Sequence, residues 1–154
     1  MLDDSIDLAA VQEIRATIHT EAGPIVMNEF AEFLRLFRIA YAATIDALEA
    51  RGETVNTDTS QSVNRIVSLT REHLASLSRT EVSNLSTRRL DVEPTIITIH
   101  RENPLDIVLG GIAIALACAV IISGGKFKAF GLLEIEIDGP LGDGVKKLRK
   151  ALGL

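Results

Sequence analysis

The sequence predicts an α+β fold in which helices accompany a small mixed sheet. Strands are predicted near 12–20, 92–100 and 130–138, and in the first and third of these segments apolar and polar residues alternate, which is the period of a half-buried strand. Apolar residues recur every three or four positions over 28–51, which predicts a long amphipathic helix. An uninterrupted apolar run predicts one further helix, over 104–123, that is apolar on every side.

The strand segments are bounded by residues that favour turns. The first segment ends before Gly23-Pro24, and its alternation runs through Ile14, Ala16 and Ile18. The second begins after Pro94, which has no N–H for a sheet ladder and therefore suits the start of a strand. The third reads Leu-Leu-Glu-Ile-Glu-Ile-Asp before a Gly-Pro turn. These boundaries favour three separate strands in one sheet.

The helix over 28–51 is the clearest single element. Asn28 is a predicted N-cap, and Gly52 supplies a C-terminal stop. We interpret its aromatic stripe as core packing, the usual reason for such spacing, rather than as a cofactor pocket. Further helices are predicted at about 60–77 and 144–152. The stripe of the long helix consists of Phe30, Phe33, Leu34, Phe37, Tyr41, Ile45 and Leu48.

The segment 104–123 has the start and stop signals of a helix. Asn103 suits an N-cap, Pro104 the first helical position and Asp106 the first turn. Ser-Gly-Gly closes the apolar run. A helix of this length would be about 30 Å long, which matches the hydrocarbon core of a bilayer.

The opening of this segment carries one resemblance. Residues 103–109, Asn-Pro-Leu-Asp-Ile-Val-Leu, resemble a segment that opens an apolar helix in uncharacterised small bacterial proteins. The order of strand, long helix, strand and apolar helix is similar as well. The resemblance implies a bacterial source and implies no activity.

A helix that is apolar all round must be covered all round, and three explanations are open. Copies of the chain or a partner cover it, a membrane does, or the chain itself does. Small residues would allow close helix packing in the first two cases. The flanking charges show no asymmetry that would orient a membrane span, since Arg88, Arg89 and Arg101 precede it and Lys126 and Lys128 follow it.

Two groups of residues are the candidate contacts. The first would pack helix against helix, or helix against lipid, and the second would meet an anionic membrane surface or an acidic partner. The packing group is Gly110, Gly111, Ile112, Ala115, Leu116 and Ala119. The basic group is Lys126, Lys128, Lys146, Lys147, Arg149 and Lys150.

Composition and charge exclude several classes of function. The chain has 154 residues and a formal net charge of -5, which argues against a nucleic-acid binder. A single cysteine excludes a disulfide framework. His19, His73 and His100 lack metal-ligand spacing, and the apolar surroundings of Cys118 are expected to raise its pKa. No cofactor, metal, small-molecule substrate or catalytic constellation is indicated.

These observations predict a non-enzymatic, self-assembling protein that buries helix 104–123 against copies of itself or a partner. A membrane-associated or pore-forming effector is the alternative, and an enzyme of unknown type is the more remote one. The predicted organisation is an α+β body over 1–102, the apolar helix over 103–125, and a strand with a basic helix over 126–154. The acidic N-terminus lacks a signal-peptide pattern, so we expect a cytoplasmic protein, with membrane association as the alternative.

Overall fold

The computed structural model describes residues 11–18, 25–52, 59–101, 105–124, 126–130, 132–137 and 141–154. It confirms the α+β class. The strands are β1 (Val11–Ile18), β2 (Thr95–Arg101), β3 (Leu105–Ile112), β4 (Lys126–Phe130) and β5 (Leu132–Ile137). The helices are α1 (Met27–Ala50), α2 (Thr59–Ser76), α3 (Arg79–Asn84), α4 (Ala113–Ile122) and α5 (Leu141–Leu152).

The strands form one mixed sheet in the order β2-β3-β1-β5-β4. The central strand, β1, pairs antiparallel with β3 and parallel with β5. Two antiparallel pairs, β2 with β3 and β4 with β5, complete the sheet. The mixed sheet and its three predicted strands are therefore confirmed, since β1, β2 and β5, one from each predicted segment, lie in the same sheet.

The register across the sheet places an apolar row beside a row that is charged in β1, β4 and β5. This alternation explains the period-two pattern of those three strands, because successive residues of a strand belong to different rows. One apolar row crosses all five strands through Ile99, Ile107, Ala16, Ile135 and Phe127. The adjacent row passes through Thr98, Val108, Arg15, Glu134 and Lys128.

Helix α1 confirms the predicted amphipathic helix within one residue at each end. Its N-cap is Val26, which makes no side-chain capping bond, so the assignment of Asn28 as cap is wrong. Arg51 is the C-cap, and Gly52 follows it with a φ of 66°. Most of the predicted stripe is buried, while Phe30 and Leu34 are half-buried at the edge of the core.

The predicted helix over 104–123 is wrong over its first half. Leu105–Ile112 is strand β3, and only Ala113–Ile122 is helical. A short apolar run does not distinguish a buried strand from a buried helix by periodicity. The β-branched residues Ile107 and Val108 favour a strand, and glycines at 110 and 111 disfavour a helix, whereas the alanine-rich remainder favours one. Asn103 and Pro104, the predicted helix start, lie outside the described residues.

Helix α4 is covered within a single chain. It packs against α1 and α2 and also contacts α5. Ile114 to Val120 and Ile122 are buried, and Ile121 is half-buried. The described part of α4 is ten residues long, or about 15 Å, which three neighbouring helices are able to surround. The expectation that an apolar helix here needs a second chain or lipid is therefore wrong, and its burial does not argue for either.

The remaining helices frame this core. Helix α2 agrees with the prediction for 60–77. Helix α3 begins with a capping box, in which the Ser78 side chain accepts from the Glu81 N–H and the Glu81 carboxylate accepts from the Ser78 N–H. Helix α5 buries Leu148 and Leu152 against the core and exposes its basic residues. The helical layer therefore has a complete apolar centre of its own.

Candidate functional site

The predicted packing residues are core residues of one chain. All six are buried, three in β3 and three in α4. A Cβ on Gly110 would lie 2.8 Å from Thr95 Oγ1 and 3.0 Å from Ile97 Cδ1, so this glycine allows β2 to approach β3 closely. A Cβ on Gly111 would lie 3.1 Å from the Tyr41 hydroxyl. These glycines are therefore used by contacts inside the chain.

We expect Gly111→Ala to lower the free energy of unfolding by about 2 kcal/mol. Gly111 has a φ of 152°, which side chains rarely adopt, and the added methyl group would press on Tyr41. Gly142→Ala is the matched control, because its Cβ would meet only Glu29, at 3.4 Å or more. Urea unfolding of both variants measures the difference, and equal stability would contradict this role of Gly111.

Tyr41 joins three parts of the fold. Its side chain is fully buried. The hydroxyl accepts a hydrogen bond from the Ile112 N–H at 3.0 Å and donates one to the Val92 carbonyl at 2.8 Å. Burial raises the pKa of Tyr41 to about 12, and the bond from Ile112 partly opposes that shift. Helix α1 is thereby attached to the β3–α4 junction and to the segment that leads into β2.

Arg38 attaches the same segment one helical turn earlier. Its guanidinium donates to the carbonyls of Leu85, Ser86 and Arg88 at 3.2, 3.0 and 2.8 Å. It also donates to both carboxylate oxygens of Glu93, at 2.9 and 2.7 Å, and this pairing lowers the pKa of Glu93 and raises that of Arg38. The path of the chain into β2 is therefore set from α1.

Strand β2 is an edge strand with exposed isoleucines. Ile96, Ile97 and Ile99 are 39%, 45% and 48% exposed. The register with β3 shifts between Ile96 and Thr98, which makes Ile97 the inserted residue of a bulge. Large apolar side chains on a free edge form the most conspicuous unpartnered apolar surface among the described residues. We call Ile96, Ile97 and Ile99 the isoleucine edge.

The opposite edge of the sheet has a different character. Strand β4 carries Lys126 and Lys128, whose Cα partners in β5 are Glu136 and Glu134. Lysines on an edge strand disfavour pairing with another strand. Their side chains lie outside the described part of the structure, so their predicted membrane contact stays a prediction.

The basic residues of α5 divide into two groups. Lys146 and Lys150 are exposed, and their predicted contact with an anionic surface also stays a prediction. Arg149 donates to the Glu32 carboxylate at 2.9 Å. The aliphatic part of Lys147 covers Gly124 at the end of α4, where a Cβ would lie 2.5 Å from its Cδ. Lys147 and Arg149 therefore serve contacts within the chain.

The titratable groups within the described residues are not arranged as a metal site. No cluster of three His, Cys, Asp or Glu side chains occurs there. Cys118 is buried with its Sγ 4.0 Å from the Val63 carbonyl, and burial raises its pKa to about 12, as the sequence predicts. His73 Nε2 lies 2.6 Å from Asp46 Oδ2, and Arg88 donates to the other oxygen of the same carboxylate at 2.6 Å.

Comparison with known proteins finds no match among protein-family models, curated proteins or solved structures. Within the described residues, no helix has the length and apolar character needed to cross a membrane.

The isoleucine edge is the candidate site that sequence reasoning missed. Thr-Ile-Ile-Thr-Ile correctly predicts a strand, but a strand's position in the sheet depends on which other strands pair with it. The predicted three-strand sheet did not include β3, which is the neighbour of β2 among the described strands. The available signal was three isoleucines within four residues, an unusually apolar composition for a strand at an edge.

Proposed function

We propose that this chain is a non-enzymatic assembly module whose isoleucine edge pairs with the same edge of a second copy. The observation that carries this proposal is the exposure of three large apolar side chains on β2, which is the last strand at its side of the sheet among the described residues. Unpaired N–H and C=O groups on such an edge can pair with another strand. The proposal keeps the predicted self-assembly and moves its contact from α4 to β2.

The energetics favour a weak, concentration-dependent dimer. Complete burial of an isoleucine contributes about 1.5–3 kcal/mol, so covering the exposed half of three isoleucines in each copy contributes about 6 kcal/mol. Association costs about 4–15 kcal/mol in lost freedom of motion. Each backbone hydrogen bond across the edge adds about 1 kcal/mol. The bulge at Ile97 limits the length of this ladder, so most of the association energy comes from the side chains.

Charges at the two ends of β2 favour a second copy in antiparallel orientation. Asp91 precedes the strand, and Arg101 ends it. Antiparallel pairing brings the acidic end of one strand near the basic end of the other, whereas parallel pairing brings like charges together. Pairing identical edges about a two-fold axis produces a closed dimer.

Ile99→Lys tests this proposal. The half-exposed position tolerates lysine in the folded chain, but a dimer would bring two new charges into its apolar contact. We expect the dissociation constant, measured by sedimentation equilibrium, to rise at least about tenfold. Met27→Lys is the matched control, because Met27 is 84% exposed at the start of α1 and should leave association unchanged.

A second substitution at the same position separates association from folding. Ile99→Thr keeps β-branching and introduces no charge, so it should weaken the dimer less than lysine does. Circular dichroism confirms that each variant is folded. A wild-type chain that stays monomeric at the highest concentration would overturn the proposal, as would equal association of wild type and Ile99→Lys. Binding to phospholipid vesicles without self-association would overturn it in favour of the membrane alternative.

A further inference from the structure

A basic cleft lies between α1, α3 and α5, away from the isoleucine edge. Its volume is about 430 Å³, which is within the usual range for small-ligand sites. Three guanidinium groups and three neutral polar side chains line it. They are Arg35, Arg79, Arg149, Thr80, Ser83 and Asn84.

Glu32 holds two of these arginines in place. Its Oε1 accepts from Arg35 Nη2 at 2.8 Å and from Arg149 Nη2 at 2.9 Å, and its Oε2 accepts from Arg35 Nε at 3.2 Å. The hydrogen bond from Arg35 is the largest cause of a lowered pKa at Glu32, so this carboxylate stays ionised. One carboxylate thus orients two guanidinium groups that come from helices α1 and α5.

The cleft keeps a positive charge and unused donors. The side chains of three arginines and of Glu32 carry a net formal charge of +2, although the side chains of the whole chain carry -5. Arg79 is exposed and has no ion-pair partner among the described residues. The described residues also provide no acceptor for Arg35 Nη1 or for Arg149 Nε and Nη1. An anion in the cleft would therefore accept hydrogen bonds from three arginines, and the ion pairs of Glu32 with Arg35 and Arg149 would stay intact.

We propose that this cleft binds a phosphate-bearing ligand with at least two negative charges. Guanidinium groups bind phosphate oxygens in fixed, paired geometry, and the hydroxyl groups of Thr80 and Ser83 add neutral donors. The lining residues include no aromatic ring, and their one apolar member is Leu154. The recognised chemistry is thus the phosphate itself, as in pyrophosphate or a small phosphate ester, and no stacked base or sugar is required.

Calorimetric titration with inorganic pyrophosphate tests the site. We expect Arg79→Ala to weaken binding about tenfold, because one charge-assisted contact is lost. Arg79 has no described ion-pair partner, so its removal should leave the fold intact. Arg71→Ala on α2 is the matched control: it removes the same charge from an exposed arginine outside the cleft and should leave affinity within about twofold of wild type.

A second binding experiment, with lipid vesicles, identifies the source of the phosphate. Vesicles of phosphatidylcholine containing phosphatidic acid present the same group on a lipid, and Arg79-dependent sedimentation with them would assign the ligand to a headgroup. Arg79-dependent binding of pyrophosphate alone would assign it to a soluble compound. Failure of wild type to bind either probe at millimolar phosphate would overturn the proposal, as would equal losses in the Arg79 and Arg71 variants.

Discussion

Arg38→Ala is expected to lower the free energy of unfolding by about 3 kcal/mol, although Arg38 lies on the polar side of α1. The substitution removes five hydrogen bonds at once, three to the carbonyls of Leu85, Ser86 and Arg88 and two to Glu93. Hydrogen bonds to a charged group contribute about 1.5–3 kcal/mol each, and those that share one side chain do not add fully. The loss is therefore larger than for an ordinary surface ion pair.

Two comparisons make this prediction specific. Arg51→Ala removes an arginine whose bond to Glu72 is 3.3 Å long and exposed, and it should change stability by no more than about 0.5 kcal/mol. Arg38→Lys should not restore stability, because an ammonium group lacks the planar set of donors that reaches three carbonyls and a carboxylate. Urea unfolding of the three variants provides the test. Equal losses for the alanine variants at 38 and 51 would contradict the central role of Arg38.

The same contacts connect stability to the proposed assembly surface. Residues 85–93 lead directly into β2, and Arg38 holds both ends of this segment against α1. Loss of Arg38 should therefore increase amide hydrogen exchange in β2 more than in α4, which is surrounded by helices. The position of the isoleucine edge thus depends on a side chain in the helical layer.

The elements that the sequence predicts well have a local periodic signal. The stripe of α1 and the alternation in β1 and β5 are visible within a few residues, and the structure confirms all three elements. The interior of 104–123 carries no such signal, since both a buried strand and a buried helix are apolar throughout. Its first half is a strand because β1 and β2 pair with it on either side, which is a property of the whole fold.

The functional side chains were harder to predict than the helices and strands, because the contacts that define them are also distant in sequence. Arg38 and Arg35 both look like surface arginines of α1, yet the partners of Arg38 lie 47–55 residues away in sequence. The basic cleft is lined by Arg35, Arg79 and Arg149, which belong to three separate helices. The spacing within any one helix does not reveal such a group, because its geometry exists only after the helices have packed.

Tyr41→Phe is expected to lower the free energy of unfolding by about 3 kcal/mol. The substitution keeps the ring in the core but removes the hydroxyl that pairs with the Ile112 N–H and the Val92 carbonyl. The Ile112 N–H would be left buried without an acceptor, and an unpaired buried polar group costs about 1–3 kcal/mol. Thr44 is also buried, but its hydroxyl donates to the Ala40 carbonyl of its own helix. The other described group near it, the Thr70 hydroxyl at 3.4 Å, also has the Ile66 carbonyl as an acceptor at 2.8 Å, so Thr44→Val should cost clearly less. Equal losses would contradict this role of the Tyr41 hydroxyl.

The same hydroxyl should make the stability of the protein fall at high pH. Burial keeps Tyr41 protonated up to a pKa of about 12, whereas a tyrosine in the unfolded chain loses its proton near its ordinary value of 10.0. The stabilisation that the Tyr41 hydroxyl provides is therefore complete below pH 10. Between pH 10 and 12, unfolding of the chain releases the proton of Tyr41. The free energy of unfolding should fall by about 1.4 kcal/mol per pH unit across that interval from this group alone.

Tyr41→Phe isolates this contribution, because the two proteins differ in no other ionisable group. Stability should therefore fall more steeply in wild type than in the variant between pH 10 and 12. The chain has one tyrosine and no tryptophan, so the ultraviolet absorbance of phenolate reports on Tyr41 alone. Phenolate that forms near pH 10 in the folded protein would mean that water reaches this hydroxyl, and the proposed link between α1, β2 and α4 would then be wrong.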